Sequence, residues 1–116
     1  MDDYKELVVW QKSMRLVKEV YNLIKLLPDN EKFALCDQMR RSAVSIPSNI
    51  SEGYGRGTTT DYLRFLTIAR GSKYEIETQI HICIMLDYFD EITAKTAFDL
   101  CEEINKMLNS MIKKLT

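Results

Sequence analysis

Arg40-Arg41-Ser42-Ala43-Val44-Ser45-Ile46-Pro47-Ser48-Asn49-Ile50-Ser51-Glu52-Gly53-Tyr54-Gly55-Arg56 is the stretch that decides the fold. Extended upstream, it keeps a helical apolar rhythm, with Leu35, Met39, Ala43, Ile46 and Ile50 on one face. A rotation of about 100° per residue puts Asp37, Arg41, Ser45, Ser48 and Glu52 together on a second face. Two serines between an arginine and a glutamate let another backbone approach closely. The segment therefore reads as a helix packed on two sides. Pro47 lies inside it, removes one backbone donor and crowds the carbonyl of Ala43, which predicts a kink. Gly53, Gly55 and Gly57 are expected to terminate the helix.

The neighbouring segments repeat the helical pattern. A first helix is predicted from about Val8 to Leu27, stopped by Pro28. Trp10, Met14, Val17, Tyr21 and Ile24 alternate spacings of four and three, the seam of a bundle. Val9, Leu16 and Leu23 read as a flanking stripe, wider than one neighbour needs. Asp29 reads as the cap of a short turn. After the glycines, Thr58 to Asp61 resembles a capping box. It opens a third helix to about Leu86, with Tyr62, Phe65, Leu66, Ala69, Ile76, Ile80 and Cys83 inward. Gly71-Ser72 would permit close helix packing at its middle. Asp90 or Thr93 caps a fourth helix, with Ala94, Ala97, Phe98, Cys101, Ile104, Leu108, Ile112 and Leu115 inward. No strand-like alternation and no linker interrupts this order. The fold class is all-α: an antiparallel up-down four-helix bundle forming one domain over residues 1–116.

Charge is polarised along the chain although the total is only −1. From Gln38 to Lys73 six bases face two acids, a net of +4. From Tyr74 to Asn105 eight acids face one base, a net of −7. The basic candidates for phosphate contact are Arg40, Arg56, Arg64, Arg70 and Lys73. Lys113 and Lys114 end the last helix, beside Arg64 in an up-down bundle. Scattered charges on helices are more often simply solvated faces. The candidates for a subunit interface are Val9, Leu16, Leu23, Arg41, Ser45, Ser48 and Glu52. Arg41 and Glu52 lie about 16 Å apart along a helix, too far to pair with each other. Arg41 is thus expected to be partly buried against another carboxylate, and Asn49 to bond backbone near Pro47.

Nothing in the sequence supports catalysis. His81 is the only histidine and has no cluster of ligands at metal spacing. Glu75 and Glu77 point apart on a helix, unlike the carboxylate motifs of di-iron bundles. No serine stands in a motif with a histidine base. Gly53-x-Gly55-x-Gly57 has neither a preceding strand nor a Walker lysine. Cys36, Cys83 and Cys101 read as reduced core residues of a cytoplasmic protein. The opening Met1-Asp2-Asp3-Tyr4-Lys5-Glu6 is acidic and lacks the order of a signal peptide. No apolar run suffices to span a bilayer. No cofactor, metal, membrane or small-molecule substrate is expected.

Several motifs together carry a family resemblance. They are Leu7-Val8-Val9-Trp10-Gln11-Lys12-Ser13-Met14, Gln38-Met39-Arg40-Arg41-Ser42, Ser45-Ile46-Pro47-Ser48-Asn49-Ile50, Ser51-Glu52-Gly53 and Gly71-Ser72. From about Tyr4 to Leu115 the chain resembles the four-helix-bundle proteins called 23S rRNA intervening-sequence proteins, or the S23 ribosomal protein family. Ser42 and Ser51 stand where alanine is usual there, and Lys73 where an apolar residue is. The family is similar to the accessory variability determinant of diversity-generating retroelements, a pentameric ring that binds a reverse transcriptase and nucleic acid. The resemblance implies a bacterial, cytoplasmic homopentamer. It implies contact with nucleic acid but no established activity. The role expected from the sequence as a whole is a non-enzymatic oligomeric adaptor that binds RNA, DNA or a protein partner that processes nucleic acid. The alternative is a structural protein-interaction module with no nucleic-acid role.

Overall fold

The structure is a computed structural model that describes residues 3–116. Met1 and Asp2, part of the N-terminal reading above, lie outside the described residues. Four helices follow one another: α1 (Val8–Ile24), α2 (Leu35–Gly55), α3 (Thr59–Met85) and α4 (Glu91–Leu115). Two short 3-10 turns, Tyr4–Glu6 and Asp29–Glu31, precede α1 and α2. Each helix packs on its neighbours in sequence, and α1 also packs on α4. Short connections reverse the chain each time, which gives an antiparallel square of helices with diagonals α1/α3 and α2/α4.

Local chemistry sets most helix ends. The Thr58 hydroxyl accepts from the Asp61 amide at 3.2 Å at the start of α3. The Asp90 carboxylate accepts from the Thr93 amide at 2.8 Å at the start of α4. α1 ends at Ile24, three residues before Leu27, in tightened 3-10-type bonds from Leu26 to Leu23 and from Leu27 to Ile24. Asp29 sits within its 3-10 turn and makes no capping bond. Pro47 lies buried inside an uninterrupted α2.

Two of the glycine and serine readings are corrected. Gly53 does not stop α2, which runs on to Gly55. Gly53 is buried instead, where an added Cβ would stand 2.6 Å from the Phe65 Cβ. Only hydrogen fits, and α2 and α3 come close there. Gly57 is the residue that turns the chain, with φ of +82°. In the middle of α3 the close approach belongs to Ser72, whose hydroxyl meets that of Ser45 at 2.8 Å. Gly71 is exposed to open space. Gly53→Ala is therefore expected to destabilise by about 1–3 kcal/mol through overpacking, less a fraction of a kcal/mol of helix propensity. Gly55→Ala, whose new methyl would meet no atom of another element within 4 Å, should be neutral or stabilising. Urea unfolding of the two variants checks this. Equal midpoints would mean that α2 and α3 can part at no cost.

The core runs the length of the bundle. In α1 it is Val9, Ser13, Leu16, Val20 and Leu23, continued by Leu27 beyond the helix end. These positions alternate four and three, so they are the true seam. Val9, Leu16 and Leu23 are thereby corrected from a subunit interface to the interior of the chain itself. Ser13 hides the pattern in the sequence. It is fully buried, and its hydroxyl donates to the Trp10 carbonyl at 2.7 Å, so burial leaves no polar atom unpaired. In α3 the seam is Leu66, Ala69, Lys73, Ile76, Ile80 and Cys83.

Candidate functional site

With the seam of α1 turned inward, its other apolar stripe is divided: Ile24 is buried as expected, Trp10 and Val17 pack on the edge of the core, and Met14 and Tyr21 face out. Met14 is 44% exposed, Tyr21 is also exposed, and Trp10 and Val17 are half-buried. Val44 stands exposed across from them on α2. Between the two helices lies a groove of about 270 Å³, lined by Tyr4, Trp10, Met14, Val17, Val44, Pro47, Ser48 and Ser51. Tyr4 closes one end of it. Its ring meets Trp10 edge-on at 5.3 Å and Tyr54 at 6.5 Å, and Tyr54 meets Tyr62 at 6.1 Å. This chain of rings ties the N-terminal turn to the α2–α3 corner, and nothing in the helical periodicity announces it.

The other interface candidates separate. Ser48 lines the groove. Ser45 is turned towards α3, where it meets Ser72 and accepts from the Asn49 amide on both its backbone and hydroxyl oxygens, at 2.7 and 2.8 Å. The expected backbone bond of Asn49 is thus present. Arg41 is not partly buried: its side chain is 79% exposed and pairs with Asp37 one turn earlier at 3.0 Å. Glu52 pairs with Arg56 at 2.7 Å. Such exposed pairs contribute about 0.3–0.5 kcal/mol each, so the polar clamp expected around Arg41 is absent.

The basic candidates do not form one surface. Arg56 and Arg64 come together at the α2–α3 corner, both over the Phe65 ring, at 5.0 and 4.5 Å from its centre. α4 ends alongside the start of α3, so Lys113 and Lys114 stand exposed at that same end. Arg70 is half-buried and donates to the Asn109 side chain at 3.0 Å. Arg40 sits about 24 Å from Arg56 along α2, and bonds the Lys32 carbonyl at 3.3 Å. Lys73 is corrected outright. Only 2% of it is exposed, so no phosphate reaches it. Its ammonium donates to Glu77 at 3.2 Å and lies 3.5 Å from the centre of the Tyr74 ring.

The remaining reactive groups are quiet. Burial pushes the Cys36 thiol up, Cys83 to about 11 and Cys101 to about 12, so all three are protonated at neutral pH. Glu77 adds to the rise at Cys101 and Lys73 opposes it. His81 is exposed, with its ring 4.6 Å from that of Phe98. Among the described residues no three His, Cys, Asp or Glu are arranged to hold a metal ion. No helix among them is long and apolar enough to cross a membrane.

This bundle of four helices is shared with a solved protein. That structure, a protein of unknown function from the S23 ribosomal protein family of Bacteroides thetaiotaomicron VPI-5482, superposes with a TM-score of 0.83 at 32% identity. The alignment covers 91% of this chain and 99% of that one. Comparison with the curated proteins gives no match. The profile of the 23S rRNA-intervening sequence proteins matches residues 5–110, which takes in all but the last turns of the bundle, and the chain belongs to that family.

Proposed function

We propose that the chain is a non-enzymatic adaptor that works as a cyclic homo-oligomer, a homopentamer, in the bacterial cytoplasm. It brings RNA or a nucleic-acid-processing partner to a ring of bundles. The observation that carries this reading is the outer stripe of α1. A chain that has already filled its core with Val9, Leu16, Val20 and Leu23 still presents Trp10, Met14, Val17 and Tyr21 beside Val44. Contiguous apolar surface of that kind marks an interface. In a closed ring every copy uses the same two patches, and this stripe with the groove it lines supplies one of them.

The cationic corner at Arg56, Arg64, Lys113 and Lys114 would then be repeated around the ring, and multivalency strengthens weak phosphate contacts. A second reading, a protein-interaction module without nucleic acid, is favoured by one observation. The basic candidates are already engaged: Arg56 by Glu52, Arg64 by Asp61 at 3.9 Å, and Lys73 by burial beside Glu77. Sedimentation at micromolar concentration and a gel shift on structured RNA at about 50 and 200 mM salt separate the readings. The adaptor reading expects an oligomer, RNA binding that falls steeply with salt, and loss of binding in Arg56→Glu with Arg64→Glu. An oligomer that ignores RNA leaves the second reading. A monomer removes both forms of the ring.

A further inference from the structure

At the far end of the bundle from the cationic corner, the α3–α4 hairpin carries apolar side chains that the fold does not use. Met85 is 70% exposed at the end of α3, and Ile92 is 85% exposed in the first turn of α4. Between these helices lies a groove of about 430 Å³, with Phe98 half-buried in it and the His81 ring beside Phe98. Its charges are unbalanced. Lys95 at its edge is occupied by Asp99 at 2.8 Å. Asp87 in the turn and Glu91 at the helix start are exposed and, among the described residues, engaged by no basic side chain. The α3–α4 hairpin belongs to the segment of net charge −7 from Tyr74 to Asn105.

We propose that this groove docks a cationic amphipathic helix of a partner protein. The apolar side chains supply the contact area, and Asp87 and Glu91 supply the complementary field. A groove between two antiparallel helices receives apolar side chains spaced three and four residues apart. RNA and anionic lipid are repelled by the same carboxylates. A second copy offering this face would set acid against acid. The proposal deepens the adaptor reading and rests on it for the existence of a protein partner. It uses a different surface from the ring contact and from the cationic corner.

The test is fluorescence anisotropy of a designed leucine–lysine helix of about 18 residues, titrated with the full chain at about 50 and 200 mM salt. A leucine–glutamate counterpart is the control. The lysine peptide is expected to bind and the glutamate peptide not to. Met85→Ser with Ile92→Ser, both at exposed positions, should weaken binding at least about tenfold. Asp87→Asn with Glu91→Gln should weaken it several-fold and flatten its salt dependence. Asparagine tolerates the φ of +62° at position 87. No binding by the parent overturns the proposal. So does binding that ignores the serine pair, since the peptide is then held by charge alone. Loss of oligomer mass in the serine variant also overturns it, because the face is then a contact between copies. Sedimentation of the same samples keeps the readings apart. A monomer that binds the peptide sinks the ring and leaves the docking site, whereas an oligomer that ignores the peptide sinks the docking site alone.

Discussion

Glu77→Ala is expected to cost about 3 kcal/mol, the lower end for breaking a buried pair, and Lys73→Met to be neutral or to stabilise by up to about 4 kcal/mol. The asymmetry follows from where the two charges sit. Lys73 occupies a seam position of α3 between Ala69 and Ile76 and is 2% exposed. The Glu77 side chain keeps 28% of its surface in water, which is why the lower end applies. Removing the carboxylate leaves an ammonium with the Tyr74 ring as its remaining neighbour. Removing the ammonium returns Glu77 to solvent and fills the seam with a flexible apolar chain of similar length. The double variant should recover most of the loss. Urea unfolding of the three variants gives the cycle. A cost below about 0.5 kcal/mol for Glu77→Ala is the value for an exposed helix pair, and would place Lys73 in water and outside the seam.

The same pair shows how far the sequence could be read. Helix count, order and most boundaries were legible because apolar residues recur at three and four, and because Thr58, Asp90 and Gly57 sit where caps and turns need them. The seams were less legible. Since Ser13 breaks the alternative row, counting apolar residues favours Trp10, Met14, Val17, Tyr21 and Ile24 in α1, of which only Ile24 is buried in the core. Only the structure shows that Ser13 satisfies itself on the Trp10 carbonyl and can be buried. In α3, the charge of Lys73 suggests a basic surface, although its register places it between Ala69 and Ile76. Charge identity misled there because an i,i+4 carboxylate makes burial tolerable. Arg41 failed in the opposite sense. Its face was inferred to be packed, yet Asp37 one turn away holds it in solvent. The groove at the α3–α4 hairpin was half visible: the acidic run was plain, but exposure of Met85 and Ile92 depends on how α3 ends and α4 begins.

Leu16→Ala and Met14→Ser form the second discriminating experiment, because the two residues belong to rival stripes of one helix. Leu16 is fully buried among the core side chains, so its truncation is expected to cost about 3–5 kcal/mol. Met14 is 44% exposed at the edge of the α1–α2 groove, so Met14→Ser should change the stability of the isolated chain by about 0.5 kcal/mol or less. If the outer stripe joins copies, Met14→Ser combined with Tyr21→Ser should instead lower the assembled mass at a fixed micromolar concentration. Unfolding midpoints measured across a range of protein concentration separate the effects, since only an assembled protein gains stability with concentration. Leu16→Ala should shift the midpoint equally at every concentration. The outer pair should abolish the concentration dependence and leave the dilute limit unchanged. Reversal of these outcomes would return the stripe of Trp10, Met14, Val17 and Tyr21 to the core and remove the apolar surface on which the ring depends.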